Sequence, residues 1–375
     1  MTATSTASTP STVPSANAKS DANDTAVKKI SVIGAGAIGA MFGGLIKRNN
    51  PDIDVVMIAR GDHLETMQER GYVELRGDWG NVNAQVTASS EPSAIEGSDL
   101  VLFTVKTQDT ATTAQRFAES IGDATVVSLQ NGINQHILSQ TIRKDRLLVG
   151  MTATNMAIVA PGVIECARRG VSVIGPASKD VAPEVVENAR RLLDSSGLPV
   201  EASEQILGVQ YNKLLFNTMG YASVLSATDF LSDGVFNRNW RNSVALPILQ
   251  EGFRVLSAAG IPLQKASGGS DVLRFHRLMR ILNVPGLDSL VRLVAQGPLH
   301  PPRLVFSVYQ DLMRDRPTEI DYVNGEIARL ASESGVPAPY NSEVVRMVHE
   351  MEKSKVKHFM SREEIAQHFR SLGVK

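Results

Sequence analysis

The sequence predicts a doubly wound α/β domain followed by an all-α domain. Three observations carry this expectation. Through about residue 202, short runs rich in Val, Ile and Leu alternate with helical patterns, as in a parallel sheet with crossover helices. The first run, Lys28-Lys29-Ile30-Ser31-Val32-Ile33, leads directly into Gly34-Ala35-Gly36-Ala37-Ile38-Gly39, and then into Met41, Phe42 and Leu45 at helical spacing. From Ser203 onward strand-like runs vanish and long helical patterns take over, broken at sites such as Gly260-Ile261-Pro262 and Asn283-Val284-Pro285-Gly286.

The elements follow in order. Residues 54–59 read as a second buried strand, 61–71 as a short helix and turn, and 72–75 with 82–86 as hairpin strands. Asp99-Leu100-Val101-Leu102-Phe103-Thr104-Val105 is the continuous apolar run of a central parallel strand covered on both faces. A helix over 110–120 and a strand over 124–129 come next. Further strands are expected at 146–150, 163–166 and 171–174, then a helix over 182–194 and a last strand at 198–201.

Composition sets the limits. A chain of 375 residues favours two domains over one, and 43% apolar with 21% charged residues suits a globular protein with a sizeable core. A formal net charge of −1 gives no bulk electrostatic reason for a nucleic-acid or acidic-membrane partner. No apolar run approaches the length that spans a bilayer. Cys166 is the single cysteine, which excludes a disulfide framework and a cysteine metal centre. Residues 1–26 are rich in Ser, Thr, Ala, Pro and Asn and cannot bury enough apolar surface to order themselves. They lack the basic start and apolar core of a secretory signal, and no arginine precedes Arg48, so a cytoplasmic protein with a disordered tail is expected. The expected division is a tail over 1–26, a Rossmann-type dinucleotide-binding domain over 27–202 and a helical substrate and closure domain over 203–375.

Gly34, Gly36 and Gly39 fit G-x-G-x-x-G: one glycine for the tight turn, one for backbone approach to a pyrophosphate, one for close packing of helix on strand. With Ala35, Ala37 and Ile38 they present backbone N–H groups and the positive end of a helix to phosphates. The second strand ends at Arg60, where an NAD-binding protein typically carries an acid. A guanidinium suits a ribose 2′-phosphate, so NADPH is expected over NADH. The alternative is a solvated Arg60 with Asp62 serving the ribose. Lys106 and Asn131 follow strands at their carboxyl ends, where ligands bind in open α/β sheets. A solvated loop lysine and plain Asn-Gly turn chemistry stand against them.

Lys213 and Asn217, four residues apart, share one face of a helix. A lysine in a partly desolvated cleft has a lowered pKa and can donate a proton near neutrality. A rim lysine with its head in water is the alternative. Glu319 lies in a helix start over 317–325, where Thr318 and Asp321 resemble a capping box. It is placed either to complement the helix dipole or to reach into a cleft. Over 272–282 basic and apolar residues alternate as in an amphipathic helix, read as a core cover with a solvated basic face or as a membrane or partner surface. The seven histidines show no metal-ligand spacing, and no G-x-S-x-G elbow occurs.

The order and spacing of these motifs resemble the ketopantoate reductase (2-dehydropantoate 2-reductase) family from about Lys29 to the C-terminus. The anchors are the glycine turn, Arg60, Val105-Lys106, Gln130-Asn131-Gly132, Asn212-Lys213-Leu214-Leu215-Phe216-Asn217, Ser307-Val308-Tyr309-Gln310-Asp311 and Thr318-Glu319-Ile320-Asp321-Tyr322-Val323-Asn324-Gly325. The resemblance implies NADPH-dependent reduction of a 2-oxo acid, ketopantoate to pantoate on the pantothenate route. It implies Lys213 as proton donor and substrate ligand, with Asn217 and Ser307 binding substrate. Lys106, Asn131 and Glu319 match residues on the cofactor side, and Met156 falls where a backbone group meets the cofactor. A homodimer is compatible with the sequence.

Departures from the family pattern fall on the substrate side. Tyr221 or Ser223 stands where a second asparagine is common. Arg303-Leu304-Val305-Phe306 replaces small or polar residues before the matched serine, and the span from Asn217 to Ser307 is longer. A reductase of a different or bulkier 2-oxo acid is therefore one alternative. A non-enzymatic NADPH-binding module and a membrane or scaffold role through residues 270–296 are the others.

Overall fold

The computed structural model describes residues 27–284, 287 and 306–373. The expected tail over 1–26, the far half of the 270–296 stretch and Arg303, Leu304 and Val305 thus fall outside the described residues or largely so. The N-terminal part is α/β and the C-terminal part is all helical, as the sequence predicts.

Among the described residues the main sheet has eight strands: β1 (Lys29–Ile33), β2 (Asp54–Ile58), β5 (Thr87–Ser89), β6 (Leu100–Phe103), β7 (Thr125–Ser128), β8 (Leu147–Thr152), β11 (Ser172–Pro176) and β12 (Val200–Ala202). Their order is β12-β11-β8-β7-β6-β1-β2-β5, all neighbours parallel except β11 against β8. From β1 the chain builds outward through β2, then returns to the other side of β1 at β6. The crevice between β1 and β6 is therefore a topological switch point, and the loops after β1, β6 and β7 open at the same edge. All four residues of β6 are buried, which is why Leu100-Val101-Leu102-Phe103 reads as a continuous apolar run.

Helix α1 (Ala37–Asn49) lies between this sheet and a second one. A Cβ on Gly39 would come within 2.4 Å of Val32, and one on Gly44 within 2.8 Å of Leu75, so α1 packs its glycines against both sheets. The second sheet, of order β4-β3-β10-β9, comprises β3 (Tyr72–Gly77), β4 (Gly80–Gln85), β9 (Asn155–Ala160) and β10 (Val163–Arg168). Three of these strands are the expected hairpin strands and the run at 163–166. Their place in a separate sheet, and β9 itself, are not expected from the sequence. Strand β9 is almost wholly exposed, so no buried face stamps an alternating pattern on it. Around the main sheet lie α2 (Gly61–Arg70), α3 (Thr110–Ile121), the single turn α4 (Gln135–Leu138) and α5 (Pro183–Asp194).

The helical part is built on α6 (Ile206–Ser223), buried on nearly every side. Around it are the short α7 (Arg238–Trp240), α8 (Leu246–Ala258), α9 (Val272–Ile281), α10 (Ser307–Met313), α11 (Asn324–Ser334), α12 (Pro339–Lys353) and α13 (Arg362–Leu372). Gly252 on α8 lets α6 approach closely, since a Cβ there would sit 2.3 Å from Leu215. The fully buried Glu251 accepts from the N–H groups of Tyr340 (2.9 Å) and Asn341 (2.8 Å), so α8 caps the start of α12. Asn212 of α6 accepts from the N–H of Val272 (3.0 Å) at the start of α9. The expected amphipathic helix is α9: Val272 and Met279 are buried, while its arginines face solvent.

The capping box expected at Thr318 and Asp321 does not form. The Thr318 hydroxyl accepts from the N–H of Ile320 (3.3 Å), a single 3₁₀ turn covers Ile320–Tyr322, and α11 starts only at Asn324. Asp321 is drawn instead to His349, 2.8 Å away on α12. A long-range ionic partner outcompetes the local cap.

Candidate active site

The glycine turn follows β1 at the crevice. Gly34 has φ +88°, and a Cβ there would meet Val105 Cγ1 and N at 2.6 Å. Gly36 faces open space, the nearest atom to its Cβ position being 3.9 Å away. Among the described residues the start of α1 carries no side-chain cap and no acid in its first turn, which leaves the N–H groups around Ala37 and Ile38 for an anion. The hydroxyl of Thr104 donates to the Gly34 carbonyl (2.8 Å) and fixes the turn to the end of β6. Beside it opens a cleft of about 500 Å³ lined by Gly34, Ala35, Gly36, Arg60, Lys106 and Arg116, among others. Open space at Gly36, uncapped N–H groups and three cations suit a dinucleotide with an extra phosphate.

Arg60 precedes α2, and its side chain is 86% exposed, paired only with Asp109 at 3.1 Å among the described residues. An exposed pair of this kind contributes little, so an anion can take the guanidinium at small cost. Asp62 is exposed and is not among the residues that line the cleft.

Lys106 and Asn131 sit on adjacent loops, but both reach toward the helical domain. Lys106 Nζ pairs with Asp311 of α10 at 2.7 Å. Asn131 accepts at Oδ1 from Lys213 Nζ (3.0 Å), and its Nδ2 donates to Glu319 over a long 3.5 Å. Lys213 Nζ also donates to the carbonyl of Thr152 at the end of β8 (2.9 Å). Burial pushes the Lys213 ammonium down to about pKa 8, with Glu319 opposing that shift. Asn217 lies one turn further along α6 and makes no side-chain hydrogen bond among the described residues, leaving its amide free beside Lys213.

Glu319 is buried at the turn before α11. It faces the hydroxyl of Thr107 at 3.2 Å and the N–H of Thr107 at 3.4 Å. Thr107 also donates to the Asn131 carbonyl (2.9 Å). The cluster thus brings together residues 106–107, 131, 152, 213 and 319 from both domains. Ser307 begins α10, but its side chain lies outside the described residues. Met156 lies on β9 with its side chain against the α/β core, while its strand neighbour Ile158 lines the cleft.

Sequence reasoning missed Thr107, Thr152, Asp311 and Gln130. Thr152 acts through a backbone carbonyl, which no residue type announces. Gln130 looks in the sequence like a mere flank of Asn131. Its amide donates to the Val105 carbonyl (2.9 Å) and to Thr110 (2.8 Å), which ties the β6 and β7 loops together.

A parallel-sheet dinucleotide fold, with a lysine presented from a helical domain across the cleft, defines a two-domain nicotinamide-type oxidoreductase. The chain belongs to the ketopantoate reductase PanE/ApbA family: the family's N-terminal model matches residues 30–179 and its C-terminal model residues 205–352. The 2-dehydropantoate 2-reductase of Pyrococcus horikoshii is 27% identical over 313 residues, 84% of this chain and 94% of the relative. That of Archaeoglobus fulgidus is 28% identical over 330 residues, 87% and 98%. The crystal structure of a PanE/ApbA family ketopantoate reductase from Ralstonia eutropha JMP134 superposes with TM-score 0.67 at 26% identity, covering 86% of this chain and 98% of that one. A ternary structure of D-mandelate dehydrogenase with NADH and anilino(oxo)acetate shares the fold, with TM-score 0.68 at 23% identity over 86% and 98% of the two chains. Among the described residues no helix is long and apolar enough to cross a membrane.

Proposed function

We propose that this chain reduces 2-dehydropantoate to pantoate with NADPH, a cytoplasmic step of pantothenate biosynthesis. The observation that carries the reading is Lys213, held between Asn131 and the Thr152 carbonyl at the carboxyl ends of β7 and β8. The relatives' names supply the substrate, and the cleft's chemistry supplies the cofactor.

Bound NADPH supplies the hydride that goes to C2 of the 2-oxo acid. The chain does the rest. The turn from Gly34 to Gly39 holds the pyrophosphate, Arg60 takes the 2′-phosphate, and Lys106, Asn131 and Glu319 hold the rest of the cofactor. Lys213, as ammonium, stabilises the negative charge that develops on the carbonyl oxygen and then gives up a proton to it. Its two present acceptors hold Nζ at the cleft and share its protons. Asn217 offers its free amide to the substrate, and Ser307 takes the carboxylate. The Lys106–Asp311 pair and the Glu319 contacts tie the two domains together beside the site.

A second reading, reduction of a different 2-oxo acid that carries an aromatic group, is favoured by one feature. The Phe306 ring lies where a Cβ on Gly220 would be, on the same stripe of α6 as Lys213 and Asn217, with Tyr221 edge-on at 6.3 Å. The test is NADPH oxidation against a panel of 2-oxo acids that includes 2-dehydropantoate and phenylglyoxylate, repeated with NADH. Highest kcat/KM for 2-dehydropantoate with NADPH is expected. Phenylglyoxylate in front establishes the second reading, clear preference for NADH contradicts the role of Arg60, and binding of NADPH without turnover of any acid contradicts both.

A further inference from the structure

Glu319 is held from behind by two side chains, Glu352 and His349, of a later helix. On α12, Glu352 accepts from the N–H of Thr318 (2.8 Å), immediately before Glu319. His349 lies one turn earlier on that helix. Its Nδ1 is 2.8 Å from Glu352 and its Nε2 is 2.8 Å from Asp321, two residues after Glu319. The segment is therefore gripped on both sides of Glu319 by one imidazole and the carboxylate it touches.

Both ring nitrogens face carboxylate oxygens. A neutral imidazole has one donor and one acceptor, so only the imidazolium satisfies both contacts. The charged groups acting on the ring are Asp321 from the 3₁₀ turn and Glu352 from its own helix. Burial pushes the imidazole down, but its bonds to Glu352 and Asp321 outweigh that and hold its pKa above the ordinary histidine value. A raised pKa means that the grip is complete below the ordinary histidine range and is lost as pH rises through the raised value. With the proton gone, one nitrogen turns a lone pair toward a carboxylate, and one side of the clamp releases.

We propose that His349, bridging Glu352 and Asp321, is a positioning residue for Glu319 and makes cofactor binding weaken as the imidazolium is lost. This rests on the reading of Glu319 as a cofactor-side residue. His349 touches no reacting atom. It acts through Thr318 and Asp321 on where the Glu319 carboxylate sits against Thr107 and Asn131.

The test is the dissociation constant of NADPH, measured by calorimetry on the full chain without substrate at pH 6.0, 7.0, 8.0 and 9.0. Four proteins are compared: wild type, His349→Ala, His349→Lys and the surface variant Asp321→Asn, each with a thermal melt at every pH. His349→Ala is expected to bind about tenfold more weakly at pH 6, the scale of one lost charge-assisted contact set. Its deficit relative to wild type should close as pH rises. Asp321→Asn should show a smaller deficit of the same form. His349→Lys, whose charge persists across this range, should lack the fall in affinity that wild type shows relative to it on the alkaline side. Binding by His349→Ala and Asp321→Asn equal to wild type at every pH would overturn the proposal. So would a deficit constant with pH, which marks a structural role alone. Absence of NADPH binding by wild type would instead remove the functional reading, and this inference with it.

Discussion

Replacing Lys213 by alanine is expected to lower kcat for the 2-oxo acid by two or more orders of magnitude, in the range for losing a general acid. The loss should fall on kcat and kcat/KM together, because the ammonium matters most when charge appears on the carbonyl oxygen. NADPH affinity should change little, since the glycine turn and Arg60 are untouched. The Nζ contacts run to Asn131 and to the Thr152 carbonyl, so the variant leaves two acceptors unpaired at a partly buried site, a cost of about 1–3 kcal/mol. Steady-state rates of NADPH oxidation, with a thermal melt as control, check this. Turnover within a factor of about three of wild type would remove Lys213 from the mechanism.

The second large effect is expected at the glycine turn, where two neighbouring positions should behave differently. Gly34→Ala places a methyl at φ +88° and within 2.6 Å of the Val105 backbone, so either the turn or the β6 loop must shift. Strain of the left-handed conformation alone costs about 1–2 kcal/mol, and overpacking against backbone adds about 1–3 kcal/mol. The melting temperature should drop by several degrees, and NADPH binding should fall with it, because Lys106 rides on the displaced loop. Gly36→Ala points its methyl into open space and should melt like wild type, yet bind NADPH at least about tenfold more weakly by obstructing the pyrophosphate. Equal affinity in Gly36→Ala and wild type would mean that the pyrophosphate does not pass there.

Much of the fold was legible because its strongest signals are local. The buried strand at 100–103 carries apolar residues without interruption, and the one at 30–33 is broken only by the buried Ser31, since both faces are covered. The glycine turn joins a strand, a spacing and a helix in one stretch. Harder to see was what depends on contacts distant in sequence. The partition of β3, β4, β9 and β10 into a second sheet is set by α1, whose Gly39 and Gly44 face different sheets although both read as plain helix positions. The expected cap at Thr318 fails because Asp321 finds His349 on a later helix. At the site, Lys213, Asn131 and Glu319 could be singled out one at a time, but not their meeting, which spans 188 residues of sequence between Asn131 and Glu319. The ion pair of Lys106 with Asp311 left no local trace either.

The protonation state of Lys213 links this geometry to the reaction most directly. Burial sets its pKa at about 8, within reach of an ordinary assay. A general acid must be protonated in the enzyme form that meets the 2-oxo acid, so kcat/KM for its reduction should be level below that value and fall tenfold per pH unit above it. The reverse oxidation, which needs the neutral amine as base, should rise over the same range. The measurement is kcat/KM for 2-dehydropantoate with saturating NADPH from pH 6 to 10, in wild type. A single descending limb centred near pH 8 is the predicted result. A profile flat through pH 9, or one that rises, would contradict proton donation by Lys213.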